Sequence, residues 1–415
     1  MLVLWFGAAS LAATLRVGQD APDLASTLAL AQDGDEVVVP EGTWQGGVQI
    51  TRAIHLRGEG GIIDGGGQGR VIEVLAPGVV LEDLVVQGSG ADLTVPEACI
   101  WTGPLAHRSV LRRIQARECL FGVWVHQSHD SLIEDSDFQG LDIPHPSQRG
   151  NGIELYDVDR VIVRNNHVTG MRDGIFVNAT DHSEITGNVL TDLRYGIHYM
   201  YSFHNLVKGN RASNCSGGIA LMQSRHIVVE DNVSVDNKRQ AILIRDMQYS
   251  RIAHNTAERS GEGIFFFDSL DNEIIGNRIA DNEIGARVWA GTRRNVVYGN
   301  DFVGNRQQVF YVAAEDQTWG SPETGGNRWS DYLGWDQDGD GVGDRPYRLE
   351  SFVARVLARA PAAVLLLNSP TLELLALAQR QIPALREPSI VDPWPLLRDP
   401  QAGARTGAGS AGEGP

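Results

Sequence analysis

A repeat of about 22 residues runs through the middle of the chain and restricts the folds it can adopt. Each copy opens with a small residue followed by an apolar one. These pairs are Gly152-Ile153, Gly174-Ile175, Gly196-Ile197, Gly218-Ile219, Ala241-Ile242, Gly263-Ile264 and Gly285-Ala286. Successive copies are 22 residues apart, with one step of 23. A fixed period of this length is typical of solenoids, whose windings stack on one another and share a core.

Apolar residues within each copy alternate with a period of two. If the small residue is position zero, positions one and three are apolar, as at Ile175 and Val177. This alternation predicts a strand rather than a helix, and apolar residues at position eleven predict a second strand. Position fourteen is asparagine in six consecutive copies, with a seventh one place late. These residues are Asn166, Asn188, Asn210, Asn232, Asn255, Asn277 and the late Asn300.

The asparagines are expected to form a ladder at a turn, where the amide of one coil bonds to the next and the residue tolerates left-handed backbone angles. Short strands, tight turns and this ladder predict an all-β fold, a right-handed parallel β-helix. Equivalent residues of neighbouring coils should then lie about 4.8 Å apart.

One outward-facing group has unusual chemistry. His198 and Met200 lie two residues apart on one strand face, and Met222 occupies the same column on the next coil. Thioether and imidazole groups are ligands for Cu(I), and thioether sulfur discriminates against calcium and magnesium. The sequence therefore predicts a copper site at His198, Met200 and Met222. The alternative is a hydrophobic surface covered by the 141–149 loop or by a partner.

A second set of candidate ligands forms a column in a turn. His182, His204 and His226 occupy position eight of three consecutive copies. Stacked imidazoles can bind a metal, but a turn column is more often solvated, so these residues rank second as ligands.

The chain changes character towards both ends. We divide it into a signal peptide at 1–13, the β-helix at 14–314, a Gly/Asp-rich segment at 315–347, a helical segment at 348–400 and a disordered tail at 401–415. Residues 1–13 are apolar and end in small residues, although a basic start is missing and an apolar first strand is the alternative. The C-terminal segment has helical periodicity, which suits a docking element or a cap on the last coil.

The Gly/Asp-rich segment contains the loop DQDGDGVGD, which begins at Asp336. Its spacing is that of a calcium loop, although the residue at position twelve is Tyr347 rather than glutamate. The predicted calcium ligands are Asp336, Asp338, Asp340, the carbonyl of Val342 and Asp344. The alternative is an acidic turn without an ion.

Charge and cysteine usage restrict the partners and the redox chemistry. The formal net charge is −17, which argues against nucleic acid as a main partner. Cys99, Cys119 and Cys215 lie far apart and match no zinc spacing, so each is expected to be a buried thiol.

Groups for catalysis are mostly missing. No nucleophile elbow, phosphate loop or zinc-protease motif occurs. A polysaccharide lyase or C5-epimerase acting on polyuronates remains an alternative, because β-helices host such enzymes and Asp142-Ile143-Pro144-His145 resembles an interrupted form of the epimerase motif. A scaffold that only holds a partner is a third class. We predict a protein that is not an enzyme.

Five segments together resemble one family. They are RGNGIELY (149–156), YGIHYMYS (195–202), GGIALMQS (217–224), GNRWSDYLGWDQDGDGVGDRPY (326–347) and SPTLELLALAQ (369–379). These segments are similar to the NosD-type maturation proteins of nitrous oxide reductase. The resemblance implies a periplasmic protein that acts with an ABC-type ATPase, its permease and a copper-chaperone lipoprotein in assembling the copper sites of the reductase.

The resemblance also implies positions for these partners. The helical end is expected to dock on the permease, which would associate the protein with the inner membrane. The outward face is expected to receive the copper chaperone or the reductase. The family match strengthens the assignment of transient Cu(I) binding to His198, Met200 and Met222 without identifying the ligands itself.

Overall fold

The computed structural model describes residues 12–312, 316–350 and 388–397, together with Pro370 and Leu374. The chain divides into two units, one up to Arg172 and the other from Asp173 onward. In each unit short parallel strands stack into three ladders, one strand per ladder in most coils. The predicted parallel β-solenoid of the right-handed type is confirmed. The β-ladders are here called ladders one, two and three.

A short helix follows the first strand and packs against the start of the solenoid. This α-helix spans Leu24–Leu30, and the carboxylate of Asp23 caps it by accepting a hydrogen bond of 2.7 Å from the backbone N–H of Ser26. Ladder one contains Val48–Ile50, Ile72–Val74, Ala98–Thr102, Phe121–His126 and Ile153–Asp159. Ladder two contains Thr14–Arg16, Glu36–Gln45, His55–Asp64, Val80–Glu82, Val110–Arg112, Leu132–Glu134 and Ile162–Arg164.

Ladder three of this unit contains Val85–Gln87, Gln115–Cys119, Asp137–Gly140 and His167–Thr169. It also takes in the second half of His55–Asp64, because that long strand pairs with Val80–Glu82 and with Val85–Gln87. The 141–149 loop follows, with a 3-10 turn at Pro146–Gln148. Leu141 and Ile143 pack against the buried cluster of Ala98, Leu120 and Phe121, so the apolar part of the loop is anchored beside ladder one.

The second unit carries the regular repeat. Its ladder one contains Asp173–Asp181, Tyr195–Met200, Gly217–Met222, Gln240–Arg245, Glu262–Phe267, Ile284–Val288 and Gln307–Tyr311. Ladder two contains Glu184–Thr186, Leu206–Lys208, Val228–Glu230, Arg251–Ala253, Glu273–Ile275 and Val296–Tyr298. Ladder three contains Val189–Thr191, Arg211–Ser213, Val233–Val235, Thr256–Glu258, Arg278–Ala280, Asp301–Val303 and Arg328–Trp329.

Close contact between coils explains the small residue that opens each copy. A Cβ at Gly174 would lie 2.5 Å from the carbonyl oxygen of Gly196, and one at Gly263 would lie 2.5 Å from that of Gly285. Side chains at positions one and three of the same strands, such as Ile197 and Tyr199, are fully buried and fill the core. The alternation predicted from the sequence is therefore the alternation between core and surface.

The asparagine ladder runs through the second unit as expected. Each side-chain N–H donates to the next amide oxygen at 2.8–3.0 Å, from Asn188 through Asn210, Asn232, Asn255, Asn277 and Asn300 to Asn327. The prediction that the asparagines adopt left-handed backbone angles is wrong. The residue before each asparagine adopts them instead, as at Gly209 (φ 65°) and Asp231 (φ 57°). The asparagine itself is left free to bond along the stack.

A carboxylate closes the C-terminal end of this ladder. Asp392 is fully buried and accepts hydrogen bonds from the backbone N–H of Asn327 at 2.7 Å and from the indole N–H of Trp329 at 2.9 Å. Burial raises the pKa of this carboxyl group, although the donors around it act in the opposite direction. The strand Pro388–Asp392 that carries it pairs antiparallel with Tyr347–Glu350.

Two segment boundaries in the structure differ from those predicted from the sequence. Ladder three continues to Arg328–Trp329, beyond the expected end of the solenoid at residue 314. Parts of the expected helical segment 348–400 form a strand pair, since residues 348–350 and 388–392 are extended. Its predicted helices lie outside the described residues apart from Pro370 and Leu374, as do the 401–415 tail and residues 1–11 of the expected signal peptide. Among the described residues, no helix reaches the length and apolarity that crossing a bilayer requires.

Candidate functional site

The two candidate methionine ligands face each other across neighbouring coils. Met200 ends one strand of ladder one and Met222 ends the next, and the two are direct partners in the parallel register. Tyr199 and Leu221, the residues just before them, are fully buried in the core. Both methionine side chains therefore lie on the outward face, where they are half-buried. The predicted register is confirmed at this position.

His198 lies on the same outward face but is almost enclosed. It is 7% exposed, and its partner on the next coil is the small residue Ala220. The rings of Phe176 and Tyr195 cover it, with centroids 4.8 Å and 5.0 Å from the imidazole. These aromatic neighbours remove the imidazole from bulk water while the methionines beside it keep part of their surface exposed.

An ion pair between a buried carboxylate and a partly exposed guanidinium lies beside His198. Asp173 is fully buried, and its Oδ2 lies 2.9 Å from His198 Nδ1. Arg194 donates from Nε to Asp173 Oδ1 at 2.8 Å, and its Nη2 contacts Oδ2 of the same carboxylate. Burial alone would raise the pKa of Asp173, but the hydrogen bonds from Arg194 and His198 hold it below its usual range. The carboxylate therefore stays ionised.

Sequence reasoning did not identify Asp173 and Arg194 as site residues. Both come just before the small residue that opens a copy, at Gly174 and Gly196, a part of the repeat that carries no apolar pattern. The sequence does place these two residues, which carry opposite charges, on adjacent coils close to a histidine. A buried carboxylate such as Asp173 is retained because the charge of its arginine partner compensates it.

The donor set suits a soft monovalent metal. His198 Nδ1 is occupied by Asp173, and its Nε2 has no hydrogen-bond partner among the described residues. The other two donors are the thioether sulfurs of Met200 and Met222. One imidazole and two thioethers fit Cu(I) and disfavour hard cations, which prefer oxygen ligands.

The second-rank histidines stack without converging. The rings of His182, His204 and His226 lie 5.2 Å and 4.9 Å apart with interplanar angles of 6° and 4°. Equivalent nitrogens of parallel rings at this spacing stand about 5 Å apart, whereas two nitrogens on one ion lie within about 4.2 Å of each other. In this arrangement the three imidazoles do not share a single metal ion.

The Gly/Asp-rich loop brings three of its expected calcium ligands together. Among the described residues, ligand oxygens of Asp336, Asp338 and Asp340 lie within 4.8 Å of one another. Asp344 is turned to the start of the loop, where it accepts a hydrogen bond of 2.6 Å from the backbone N–H of Gln337. Val342 forms an antiparallel bridge with Leu396, which attaches the loop to the C-terminal strand segment.

A row of cations and aromatic rings continues from the methionines along the same face. Arg245 is the register partner of Met222, and its guanidinium lies 5.3 Å from the Phe267 ring. Two coils further on, Arg287 lies 4.9 Å from the Phe310 ring and 5.7 Å from Trp289. This row, from Arg245 to Phe310, presents flat amphipathic surfaces of the kind enriched in protein interfaces.

Two of the three cysteines are joined. Cys99 and Cys119 form a disulfide with a Cα–Cα distance of 5.6 Å, so the expectation of buried thiols is wrong for both. Their separation of 20 residues is close to one coil, which returns the chain to the same side of the core. Cys215 is a buried free thiol as expected, and burial raises its pKa to about 11.

Reduction of the Cys99–Cys119 disulfide should lower the free energy of unfolding by about 3 kcal/mol, because closing a loop of this length restricts the unfolded chain by roughly that amount. Guanidinium unfolding with and without reductant measures the effect. The Cys99→Ala/Cys119→Ala variant is the control, since its stability should not respond to the reductant. Equal stability of the oxidised and reduced wild-type protein would contradict the prediction.

The loop that raised the enzymatic alternative holds no acid–base pair. Asp142 and His145 are both exposed. His145 Nδ1 lies 2.7 Å from Ser147 Oγ within the same loop. These contacts stabilise the local turn and place neither side chain in an enclosed site.

Comparison with known proteins relates the chain to one family. The family described as "Periplasmic copper-binding protein (NosD)" matches residues 139–334. A Pseudomonas aeruginosa protein named "Probable ABC transporter binding protein NosD" is 43% identical over 394 residues, which cover 91% of this chain and 92% of that protein. The protein of the same name from Stutzerimonas stutzeri is 39% identical over 417 residues, covering 96% and 93%.

Solved structures share the fold. The Yersinia enterocolitica family 28 exopolygalacturonase aligns with a TM-score of 0.61 at 11% identity, covering 74% of this chain and 78% of the other. The pre-mature bacteriophage phi29 gene product 12 aligns with a TM-score of 0.57 at 12% identity, covering 68% and 51%. At such low identity these similarities indicate the β-solenoid alone.

Proposed function

The chain belongs to the NosD family of periplasmic copper-binding proteins, and from this membership and the geometry above we propose that it presents Cu(I) during the maturation of the copper sites of nitrous oxide reductase. The observation that carries the proposal is the direct pairing of Met200 with Met222 beside His198. The relatives are named as binding proteins and not as enzymes, and this chain has the same character.

The three donors are well suited to transient binding. Two thioethers and one neutral imidazole add no negative charge, so they hold Cu(I) without trapping it electrostatically. Half-buried methionines leave one side of the ion accessible, whereas the enclosed imidazole fixes the position of the site. An ion bound in this way can be received from one protein and passed to another.

The partners proposed for this site follow from its surroundings and from the relatives' names. The row from Arg245 to Phe310 adjoins Met222, and we place the docking surface for a copper-chaperone lipoprotein or the reductase there. The relatives carry the name "Probable ABC transporter binding protein NosD", which supports an association with an ABC transporter. The segment 348–400 is the proposed contact with the permease and its ATPase, which would hold the protein at the inner membrane. The Cys99–Cys119 disulfide supports a periplasmic location, because such bonds persist in oxidising compartments.

Anaerobic titration of the purified protein with Cu(I), in competition with a chromogenic chelator, tests the proposal. We expect tight binding at the methionine site and much weaker binding of Zn²⁺ and Ca²⁺ there, because thioether sulfur discriminates against both. A wild-type protein that fails to withdraw Cu(I) from the chelator would refute the copper-presenting function.

Calcium binding at the Gly/Asp-rich loop is a separate, structural proposal. Although burial acts to raise it, the N–H donors of Gly341 and Gly339 hold the pKa of Asp336 below its ordinary value, so the carboxylate is ionised and available. Calcium bound there would secure residues 336–344 to the strand segment at Leu396.

Calcium should therefore stabilise the protein, by about 2.7 kcal/mol at a concentration 100 times its Kd. Thermal unfolding with Ca²⁺ and with chelator measures this. The Asp336→Asn/Asp340→Asn variant should lose the response, and Mg²⁺ serves as the ionic control because it fits a flexible oxygen loop poorly. A midpoint that does not change with Ca²⁺ would leave the loop an acidic turn.

The polyuronate lyase or epimerase alternative is not favoured. It depends on the shared fold and on Asp142 and His145, and these two side chains are exposed in a surface loop. The fold is common to many functions, so structural similarity to an exopolygalacturonase supplies no substrate. Release of unsaturated uronides from a polyuronate panel would be needed to restore this alternative.

A further inference from the structure

Asp173 is the buried carboxylate whose Oδ2 lies against His198 Nδ1. We infer that Asp173 is a positioning residue for Cu(I), which fixes His198 in the tautomer that carries its proton on Nδ1 and presents the lone pair of Nε2 to the metal. The inference rests on the proposed function and deepens it, because it names the residue that makes the imidazole a ligand.

The geometry selects one tautomer. Asp173 Oδ2 and His198 Nδ1 are 2.9 Å apart, and an ionised carboxylate can only accept hydrogen bonds. An unprotonated Nδ1 at this distance would set two lone pairs against each other in a dry site. The proton therefore lies on Nδ1, and in the neutral ring Nε2 is left unprotonated.

Arg194 has two opposing effects on this selection, because its Nη2 can donate to an unprotonated Nδ1 whereas its ion pair keeps the facing carboxylate ionised. Its Nη2 lies 3.3 Å from His198 Nδ1, a longer contact than the 2.9 Å to the carboxylate. The same guanidinium donates from Nε to Asp173 Oδ1 at 2.8 Å. The principal role of Arg194 is thus to keep the carboxylate ionised inside the protein, and an ionised acceptor is what the Nδ1 proton requires.

The ring cannot escape this arrangement easily. Phe176 and Tyr195 contact the imidazole with interplanar angles of 67° and 48°, so two aromatic rings restrict its rotation. A flip would place a C–H group against the carboxylate and lose a charge-assisted hydrogen bond. Ligating histidines elsewhere are oriented in the same way by a carboxylate on their other nitrogen, and losing that partner typically costs about 10–100-fold in metal affinity.

Histidine-selective ¹⁵N labelling of the full chain tests the tautomer without any metal. The His198 signals are assigned by their loss in His198→Gln, and long-range ¹H–¹⁵N correlations at a pH of about 8, where ordinary imidazoles are neutral, report which nitrogen is protonated. We expect a protonated Nδ1 in the wild-type protein. A protonated Nε2 overturns the inference, whether or not the protein binds copper.

Variants connect the tautomer to the affinity for Cu(I). Asp173→Asn replaces a pure acceptor by a group that donates equally well, so we expect a mixture of tautomers and a loss of Cu(I) affinity of about 10–100-fold. The matched control is Asp301→Asn, which removes another buried carboxylate paired with arginines, Arg278 at 2.8 Å and Arg328, and should leave both readouts unchanged.

A double-mutant cycle separates positioning from a merely structural role. In a His198→Gln background, Asp173→Asn should cost no further Cu(I) affinity, since its effect acts through the imidazole. An equal additional loss in that background overturns the inference and leaves Asp173 structural. If Asp173→Asn does not fold, the wild-type tautomer measurement still decides. Failure of the wild-type protein to bind Cu(I), with Nδ1 protonated, refutes the proposed function instead.

Discussion

Replacing Met200 and Met222 together by leucine is expected to lower the affinity for Cu(I) by more than about 100-fold. Loss of an outer hydrogen-bond partner alone typically costs about 10–100-fold, and this change removes two of the three donors themselves. Leucine conserves volume and apolarity, so the half-buried face should stay packed and the protein should remain folded. Competition with a chromogenic Cu(I) chelator under anaerobic conditions measures the loss.

A matched control is available within the same chain. Met247 is fully buried in the core of the second unit, so Met247→Leu removes a thioether without touching the outward face. Its Cu(I) affinity should equal that of the wild-type protein. In cells, the reductase matured with the Met200→Leu/Met222→Leu variant should contain less copper than the reductase matured with Met247→Leu. Equal binding by all three proteins would remove the methionines from the site.

Replacing Asn232 by leucine should destabilise the second unit by about 4 kcal/mol. The Asn232 amide accepts from the backbone N–H of Asn210 and donates to Asn255 Oδ1 and to the carbonyl of Val207, each at 2.9 Å. Leucine leaves the Asn210 N–H unpaired in the core, which costs about 1–3 kcal/mol, and it also removes the side-chain hydrogen bond to the Val207 carbonyl. Disruption of the amide stack adds to this cost.

Guanidinium unfolding of the oxidised protein measures the change, and Asn178→Leu is the control. Asn178 lies on the outward face, half-buried, in the register position beside Met200. Its replacement should alter stability by less than about 0.5 kcal/mol, as is usual for surface positions. If Asn232→Leu unfolds at the same denaturant concentration as Asn178→Leu, the asparagines are not a structural requirement of the solenoid.

The fold could be predicted because the repeat expresses one physical constraint many times. Each coil must bury the same positions, so Ile197 and Tyr199 reveal the core of a strand that local propensity alone would leave ambiguous. The register of Met200 with Met222 followed from the same constraint. For positions that repeat in a stacked fold, the sequence therefore predicts both which way the side chain points and which residue lies beside it on the next coil.

The rest of the site could not be predicted, because it depends on side chains that break the pattern. Asp173 and Arg194 stand just outside the apolar columns, and only the folded chain reveals that both reach His198. The Cys99–Cys119 pair lies in the early coils, where the spacing is irregular and gives no register. The same applies to the C-terminal strand that supplies Asp392, whose partner Asn327 is 65 residues away in sequence.

The row of asparagine amides from Asn188 to Asn327 has a direction. Each side chain donates a hydrogen bond to the amide on its C-terminal side, so the last amide of the row needs an acceptor from outside the row. Asp392 meets that requirement at Asn327 and at the same time occupies the unpaired edge of the final winding. We therefore expect a chain shortened before Asp392 to expose an open strand edge, the kind of template to which strands of other copies add.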